Sequence, residues 1–361
     1  MIWIKLQIGG NNFLIKCSMQ YEVTIGIPVY NAAGYIEKTL LSAINQTFES
    51  IEFLVVDDCS EDNSMDIVYL VKETHPRGGH IRIIQHKQNL GVGVTRNRIL
   101  DESRGKFLFF LDSDDMIEPD AISLLYEHIK DCNADVVYGS LERIDLVGGG
   151  RSQYFQFPNE CLLNGDEMAQ YAFGHYKTFQ ISVCNCLFDL DFLRHFQLRF
   201  IEAAFWEDLA FTYDMVTKVK KAVLLSAVTY HYFCRPGSQS HYQDRELLYK
   251  EEIMNNISVI NYLKGKCVGL KGKSYLPELC YNLEVNSFYI VNYILKFKQR
   301  ILPPFSRQEM KNILCHPLSL YDIFVFKKKN VSNLAFFLLG KLPSCLGVLT
   351  VFFLGKLKRL L

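Results

Sequence analysis

Gly105-Lys106-Phe107-Leu108-Phe109-Phe110-Leu111-Asp112-Ser113-Asp114-Asp115-Met116-Ile117 decides the fold. An unbroken apolar run of strand length, rich in Phe, reads as a strand buried on both faces, and it stops in Asp112, Asp114 and Asp115. Strands covered on both faces belong to α/β sheets, where ligands sit beyond the carboxyl ends of the strands. Asp112 and Asp114, one residue apart, are hard oxygen donors that suit Mg²⁺ or Mn²⁺, ions bound by one or two carboxylates together with substrate phosphates. The bland alternative is that Asp114 or Asp115 caps a helix over residues 119–130.

The stretches upstream repeat the pattern. Val23-Thr24-Ile25-Gly26-Ile27-Pro28-Val29-Tyr30-Asn31 is a β-branched run, followed by helical spacing of Ile36, Leu40, Ala43 and Ile44 over residues 35–46. Ile51-Glu52-Phe53-Leu54-Val55-Val56-Asp57-Asp58 is a second buried strand ending in acids, with Ser60, Asp62 and Asn63 available to cap a helix over 64–73. A third run over 81–85 leads into Asn89-Leu90-Gly91-Val92-Gly93 and a helix over 94–103. Strand and helix alternate at βαβ spacing, which argues a doubly wound, mostly parallel sheet with right-handed crossovers.

The Asn89–Gly93 segment offers backbone N–H groups ahead of a helix, a setting that takes an anion. It is neither GxGxxG nor a Walker loop. Arg96 is placed to meet phosphate; Arg98 reads equally as part of a solvated helix face. Downstream, Val147 to Ser152 is a Gly-rich loop, residues 182–188 read as a short strand, and Glu207 and Asp208 fall in the first turn of a helix, where dipole complementarity alone would explain them. Val228-Thr229-Tyr230-His231-Tyr232 is strand-like and runs into Arg235, Ser238 and Ser240. A lone His such as His231 or His241 is more often structural than a metal ligand.

Composition bounds the rest. The 361 residues carry 39 basic and 39 acidic side chains, so no global charge favours nucleic acid. Eleven cysteines without a CxxC fit a reducing compartment better than a disulfide framework or a cysteine metal cluster. Residues 1–18 show no basic n-region or adequate apolar run for a signal peptide, and with Met19 just ahead of the first convincing strand they read as a mis-assigned start or flexible extension. Residues 241–326 are mostly amphipathic helix. The tail, 327–361, sets Lys327-Lys328-Lys329, Lys341, Lys356, Lys358 and Arg359 around two short apolar runs. That pattern fits interfacial anchoring on an anionic leaflet. An internal or dimer-forming face is a second reading; a span is opposed by Lys341 and Pro343 in its middle.

Six ordered motifs over residues 20–240 resemble family 2 glycosyltransferases: Ile27-Pro28-Val29-Tyr30-Asn31; Val55-Val56-Asp57-Asp58-Cys59-Ser60; Asn89-x-Gly91-x-Gly93-x-x-Arg96; Phe110-Leu111-Asp112-Ser113-Asp114-Asp115; Glu207-Asp208-x-x-Phe211; and Tyr232-x-x-Arg235-x-Gly237-Ser238-x-Ser240. The resemblance implies a GT-A fold spanning 19–240 and inverting transfer of a sugar from a nucleotide diphosphate, usually UDP. It implies that Pro28, Tyr30 and Asn31 line the nucleoside pocket, that Asp58 accepts the uracil N3–H, and that Asn89 and Arg96 flank base and diphosphate. Asp112 would reach the ribose or donor sugar, and Asp114 would coordinate Mn²⁺ or Mg²⁺. Arg235, Ser238 and Ser240 would close on the phosphates; Asp208 would be the general base, supported by Glu207.

That division suits the chemistry, because inversion needs a base on the acceptor side and a cation at the departing diphosphate. The family's Trp-Asn-Lys is Cys184-Asn185-Cys186 here, so its lysine contact is absent. The expectation is a hexosyltransferase acting on a lipid-linked or cell-envelope glycan, peripheral at the cytoplasmic face of the cell membrane. A nucleotidyltransferase would need further basic and Gly-rich triphosphate contacts; a non-catalytic nucleotide-sugar-binding protein would not need Asp208.

Overall fold

The computed structural model describes residues 2–8, 11–17, 21–145, 150–175, 177–203, 206–234 and 245–360, with side chains from Tyr21 onward except that of Gln153. Two compact units share the chain: one comprises Met1–Leu163, Val183–Arg199 and Lys221–Cys234, the other Asn164–Ser182, Phe200–Lys220 and Arg235–Leu361.

In the first unit, β1 (Ile2–Ile8) and β2 (Asn11–Cys17) form an antiparallel pair in the stretch read as an extension. The alternation of Ile4, Leu6 and Ile8 with Lys5 and Gln7 carries the strand period. There follow β3 (Tyr21–Val29), α1 (Ile36–Ile44), β4 (Ile51–Asp57), α2 (Ser64–Thr74), β5 (Ile81–Gln85), α3 (Val92–Glu102) and β6 (Gly105–Phe110). Next come β7 (Met116–Ile117), α4 (Ala121–Cys132), β8 (Val136–Asp145), β9 (Arg151–Phe155) and β10 (Glu160–Leu162). After α5 (Glu167–Gly174), which belongs to the second unit, the chain returns with β11 (Cys186–Asp189), α6 (Leu190–His195) and, beyond α7 (Glu207–Val216) of the second unit, β12 (Ala222–Cys234).

The strands join in one sheet in the order β10-β12-β8-β11-β6-β3-β4-β5, with β7 beside β12 and β9 beside β8. Its half from β6 to β5 is parallel, as the βαβ spacing predicts. Beyond β6 the sheet is mixed: β11 runs antiparallel to both β6 and β8. All of β4 is buried, as the unbroken apolar run requires. Gly26 lets α3 lie close on β3, since a Cβ there would strike Ile99. Asp114 and Asp115 do not cap the following helix; α4 begins after Asp120, which makes no side-chain cap bond. Val147 of the predicted loop lies outside the described residues, and Arg151 and Ser152 open β9.

The second unit is helical. It contains α5, α7, a short parallel pair of β13 (Leu248–Tyr249) with β14 (Ile301–Leu302), α8 (Lys250–Lys266), α9 (Leu276–Lys296), α10 (Arg307–Ile313), α11 (Leu320–Phe324), α12 (Asn330–Lys341) and α13 (Ser344–Leu357). The long helix α9 is its spine: Asn282 Nδ2 donates to the Phe173 carbonyl of α5, and Glu284 pairs with the buried Lys264 of α8 at 2.7 Å. Phe173 packs edge-on to Tyr213 of α7. Among the described residues no helix is long and apolar enough to cross a membrane.

Candidate functional site

The parallel strands β3, β4 and β6 end side by side, and their terminal loops carry most of the candidate residues of the first unit. At the end of β3, Pro28 is paired opposite Val56, and Tyr30 follows the strand, 46% exposed. Asn31 takes a left-handed backbone, φ 48°. Its amide donates to Ser60 Oγ at 3.1 Å while its Oδ1 accepts from the Glu61 amide at 2.8 Å. Of the trio expected to cap α2, Ser60 serves these loops, while Asp62 Oδ1 accepts from the Ser64 amide at the first residue of the helix at 3.0 Å. Asn63 makes no side-chain cap bond, and Asp62 accepts from the Ala33 amide at 2.9 Å.

Asp58 is buried and engaged through both oxygens. Its Oδ1 accepts from His86 Nδ1 at 2.8 Å and from the Leu90 amide at 2.9 Å, and its Oδ2 accepts from the Gly91 amide at 2.8 Å. Those amides head the loop expected to take an anion, and the anion they meet is a carboxylate of the chain itself. Asn89 Oδ1 shares the Gly91 amide at 3.1 Å. Gly91 sits at φ 88°, ψ 159° before α3, a conformation that requires glycine.

At the end of β6, Asp112 and Asp115 close a turn through Asp115 N–H to the Asp112 carbonyl, 3.1 Å. Three braces hold it. Arg96, its side chain only 4% exposed, pairs with Asp112 Oδ1 at 2.9 Å. Thr39 of α1 donates to the Ser113 carbonyl at 3.0 Å. Tyr230 of β12 donates to Asp115 Oδ2 at 2.7 Å and accepts from the Asp112 amide at 3.3 Å, while the Phe233 amide donates to Asp115 Oδ1 at 2.9 Å. Burial, followed by the charges of Asp112 and Asp114, holds the Asp115 carboxyl well above the usual carboxylate range despite these donors. Asp112 and Asp114 are only half-buried.

Oxygen donors in this arrangement fit a divalent cation in type. Among the described residues no three His, Cys, Asp or Glu side chains group so as to hold one by themselves, so further ligands would have to come from a bound phosphate or water.

The remaining candidates sort plainly. Arg98 pairs with Glu102 four residues on, the solvated-face reading. His231 is held between Glu118 (2.7 Å) and Glu142 (3.2 Å), a structural histidine. Glu207 and Asp208 occupy the first turn of α7 in the second unit, Glu207 buried and Asp208 half-buried. Below them Phe211 stacks on Phe200 with ring centroids 4.2 Å apart. Arg235, Ser238, Ser240 and His241 lie outside the described residues.

Sequence reasoning missed Tyr230, Thr39 and Asn185. The last, left-handed at φ 66°, is buried, donates to the Gly139 and Ser140 carbonyls and accepts from Thr229, beside Tyr230. An Asn immediately before a short strand gives no local hint of this, because its partners lie on two other strands.

The chain resembles known proteins along much of its length. It is 25% identical over 289 residues to the cholesterol galactosyltransferase of Borreliella burgdorferi, an alignment spanning 77% of this chain and 79% of that one. It is 30% identical over 220 residues to the poly(ribitol-phosphate) beta-glucosyltransferase of Bacillus spizizenii, covering 59% of this chain and 32% of that longer protein. The chain thus spans about a third of the length of the Bacillus relative. The structure of S. aureus TarS 1-349 in complex with UDP-GlcNAc superposes with a TM-score of 0.63 at 18% identity, over 93% of this chain and 92% of that one. Residues 24–196 match the sequence model of Glycosyl transferase family 2. The strands β3, β4 and β6, with the carboxylate turn at their ends, lie within the stretch that matches Glycosyl transferase family 2, and their fold is of the GT-A type.

Proposed function

We propose that the chain is an inverting hexosyltransferase that moves a sugar from a UDP-linked donor to a hydroxyl of a lipid-linked or cell-envelope glycan, at the cytoplasmic face of a membrane. The observation that carries the reading is the Asp112–Asp115 turn, braced on three sides at the carboxyl edge of a parallel sheet and leaving Asp112 and Asp114 half-open. The names of the relatives, a cholesterol galactosyltransferase and a poly(ribitol-phosphate) beta-glucosyltransferase among them, support the acceptor class.

In this reading Pro28, Tyr30 and Asn31 form the nucleoside wall, with the exposed Tyr30 ring available to a base. Asp58 has acceptor capacity left on Oδ2 for the uracil N3–H, and it also fixes the loop bearing Asn89. Arg96 holds the Asp112 carboxylate, which faces ribose or donor sugar, and Asp114 provides the ligand for Mn²⁺ or Mg²⁺. When bound, the cation neutralises charge on the departing diphosphate. Asp208 takes the proton of the acceptor hydroxyl as its oxygen bonds to the anomeric carbon and the bond from that carbon to the diphosphate oxygen breaks, releasing UDP; Glu207 supports it. Arg235, Ser238 and Ser240 are assigned to phosphate closure. Commitment of the Leu90 and Gly91 amides to Asp58 disfavours a nucleotidyltransferase, which would need such amides for a triphosphate.

The test is UDP release by the full chain from a panel of UDP-sugars with Mn²⁺, with EDTA, and in Asp114→Ala and Asp208→Asn. Release from one donor, abolished by EDTA and by Asp114→Ala, is expected. Absence of Mn²⁺-dependent UDP binding by calorimetry would overturn the reading, and unchanged transfer by Asp208→Asn would remove Asp208 from its role.

A further inference from the structure

Helix α13 is apolar almost all round, yet the second unit covers only half of it. Gly347, Val348, Val351 and Gly355 are buried, whereas Leu346, Leu349, Phe353 and Leu357 form a stripe along the opposite side, 50%, 47%, 61% and 82% exposed. A helix with two apolar faces is normally enclosed on both. Val331 and Leu338 of α12 and Phe324 at the end of α11 are open as well.

The charges around these residues are one-sided. Residues 327–361 hold seven cations and no Asp or Glu, in a chain whose total charge is zero. Lys329, Lys341, Lys356 and Lys358 lie over aromatic rings, those of Tyr281, Phe337, Phe352 and Phe288, at 4.5–5.8 Å, so their stems run along apolar surface and their heads end beside it.

A cavity of about 690 Å³ opens next to the stripe, between the end of α9, α10 and α13. Ile294, Ile301, Met310, Val348 and Phe352 line it, and the exposed Lys298 and Arg307 are the cations among its lining residues. An apolar hollow with exposed cations in its lining matches a hydrocarbon chain that ends in a phosphate. At roughly 18 and 21 Å, α12 and α13 fall short of a hydrocarbon core about 30 Å thick, so they would lie along the surface.

We propose that this face of the helical unit docks on an anionic lipid surface, with the α13 stripe among the acyl chains, the tail cations at the headgroups, and one lipid chain seated in the cavity beneath Lys298 and Arg307. The surface is distinct from the carboxylate turn, and docking does not depend on the glycosyl-transfer reading.

The experiment is flotation of the full chain with phosphatidylcholine vesicles, with or without about a third phosphatidylglycerol. Binding to the anionic vesicles alone is expected. Lys298→Gln/Arg307→Gln and, separately, Leu349→Glu/Phe353→Glu should each weaken it about tenfold or more. The substituted side chains are exposed, and an unchanged circular dichroism spectrum and thermal transition establish that each variant is folded. In Leu349→Trp, the added fluorescence should be quenched by vesicles whose acyl chains carry bromine. Equal binding to neutral vesicles, flotation untouched by both double variants, or unquenched Trp fluorescence would overturn the proposal. So would a concentration-dependent dimer abolished by Leu349→Glu/Phe353→Glu in a protein that ignores vesicles, which would give the face to a second copy of the chain.

Discussion

The Tyr230 hydroxyl ties together groups 115 and 118 residues away in sequence, donating to Asp115 and accepting from the Asp112 amide. Tyr230→Phe leaves a half-buried amide and one oxygen of a buried carboxyl without their partner, a loss of about 1–3 kcal/mol. Thermal denaturation should show the midpoint falling by about 2–4 °C per kcal/mol, and calorimetry should show weaker Mn²⁺-dependent binding of UDP. An unchanged midpoint would remove Tyr230 as a brace of the turn. The acids themselves were legible, because charge abutting a Phe-rich strand is a local pattern. Their braces were not: nothing in the neighbourhood of Thr39, Arg96 or Tyr230 records which carbonyl or carboxylate it meets. Asp58 shows the same limit from the other side, since an acid at a strand end announces a ligand without revealing that backbone amides have already engaged it.

Elements were easier to read than their pairings. The run over 81–85 is β5 residue for residue, and β3, α1, β4, α2, α3 and β6 stand where β-branched runs and helical spacing put them. Burial on both faces produces the unbroken apolar runs, so the parallel half of the sheet was visible. The antiparallel strand β11 between β6 and β8 was not, because a two-residue period carries no direction. In the helical unit, α12 is fastened by Asn333, whose Nδ2 donates to the Pro277 carbonyl at 3.0 Å and whose Oδ1 accepts from His316 Nε2 at 3.1 Å. His316 Nδ1 lies 3.2 Å from the Leu318 amide and 3.4 Å from its carbonyl, and only the neutral ring can accept from that amide. Burial depresses its pKa below the ordinary 6.5, against the raising effect of the Asn333 bond. A base with a depressed folded pKa contributes stability that is complete above about 6.5 and lost as pH falls through the folded value. His316→Gln should therefore cost about 1 kcal/mol at pH 7.5, and the difference from wild type should shrink at pH 5 in paired thermal melts. A difference independent of pH would reject neutral His316 as the fastening.

The two compact units are threaded through each other along the sequence: α5 and α7 depart from the sheet-bearing unit to join helices that come much later in the chain. A chain cut after Cys234 would keep the Phe173–Tyr213 contact but lose Tyr275 and Asn282, the partners of Phe173 on and beside α9. We expect that fragment to be recovered aggregated or binding hydrophobic dye, while the full chain is not; a monomeric, dye-silent fragment would show the sheet-bearing unit self-sufficient. Domain limits drawn at residue 240 from motif order could not anticipate this, because contact between distant helices leaves no mark on periodicity. The seven uncompensated cations of residues 327–361 have an analogous consequence for the intact molecule. The balanced total describes neither part, as the remainder carries seven net negative charges. Near pH 7 the whole chain has little drive in an electric field, whereas a product clipped before Lys327 migrates as an anion and binds an anion exchanger, so loss of the tail is reported by mobility before any change in activity is sought.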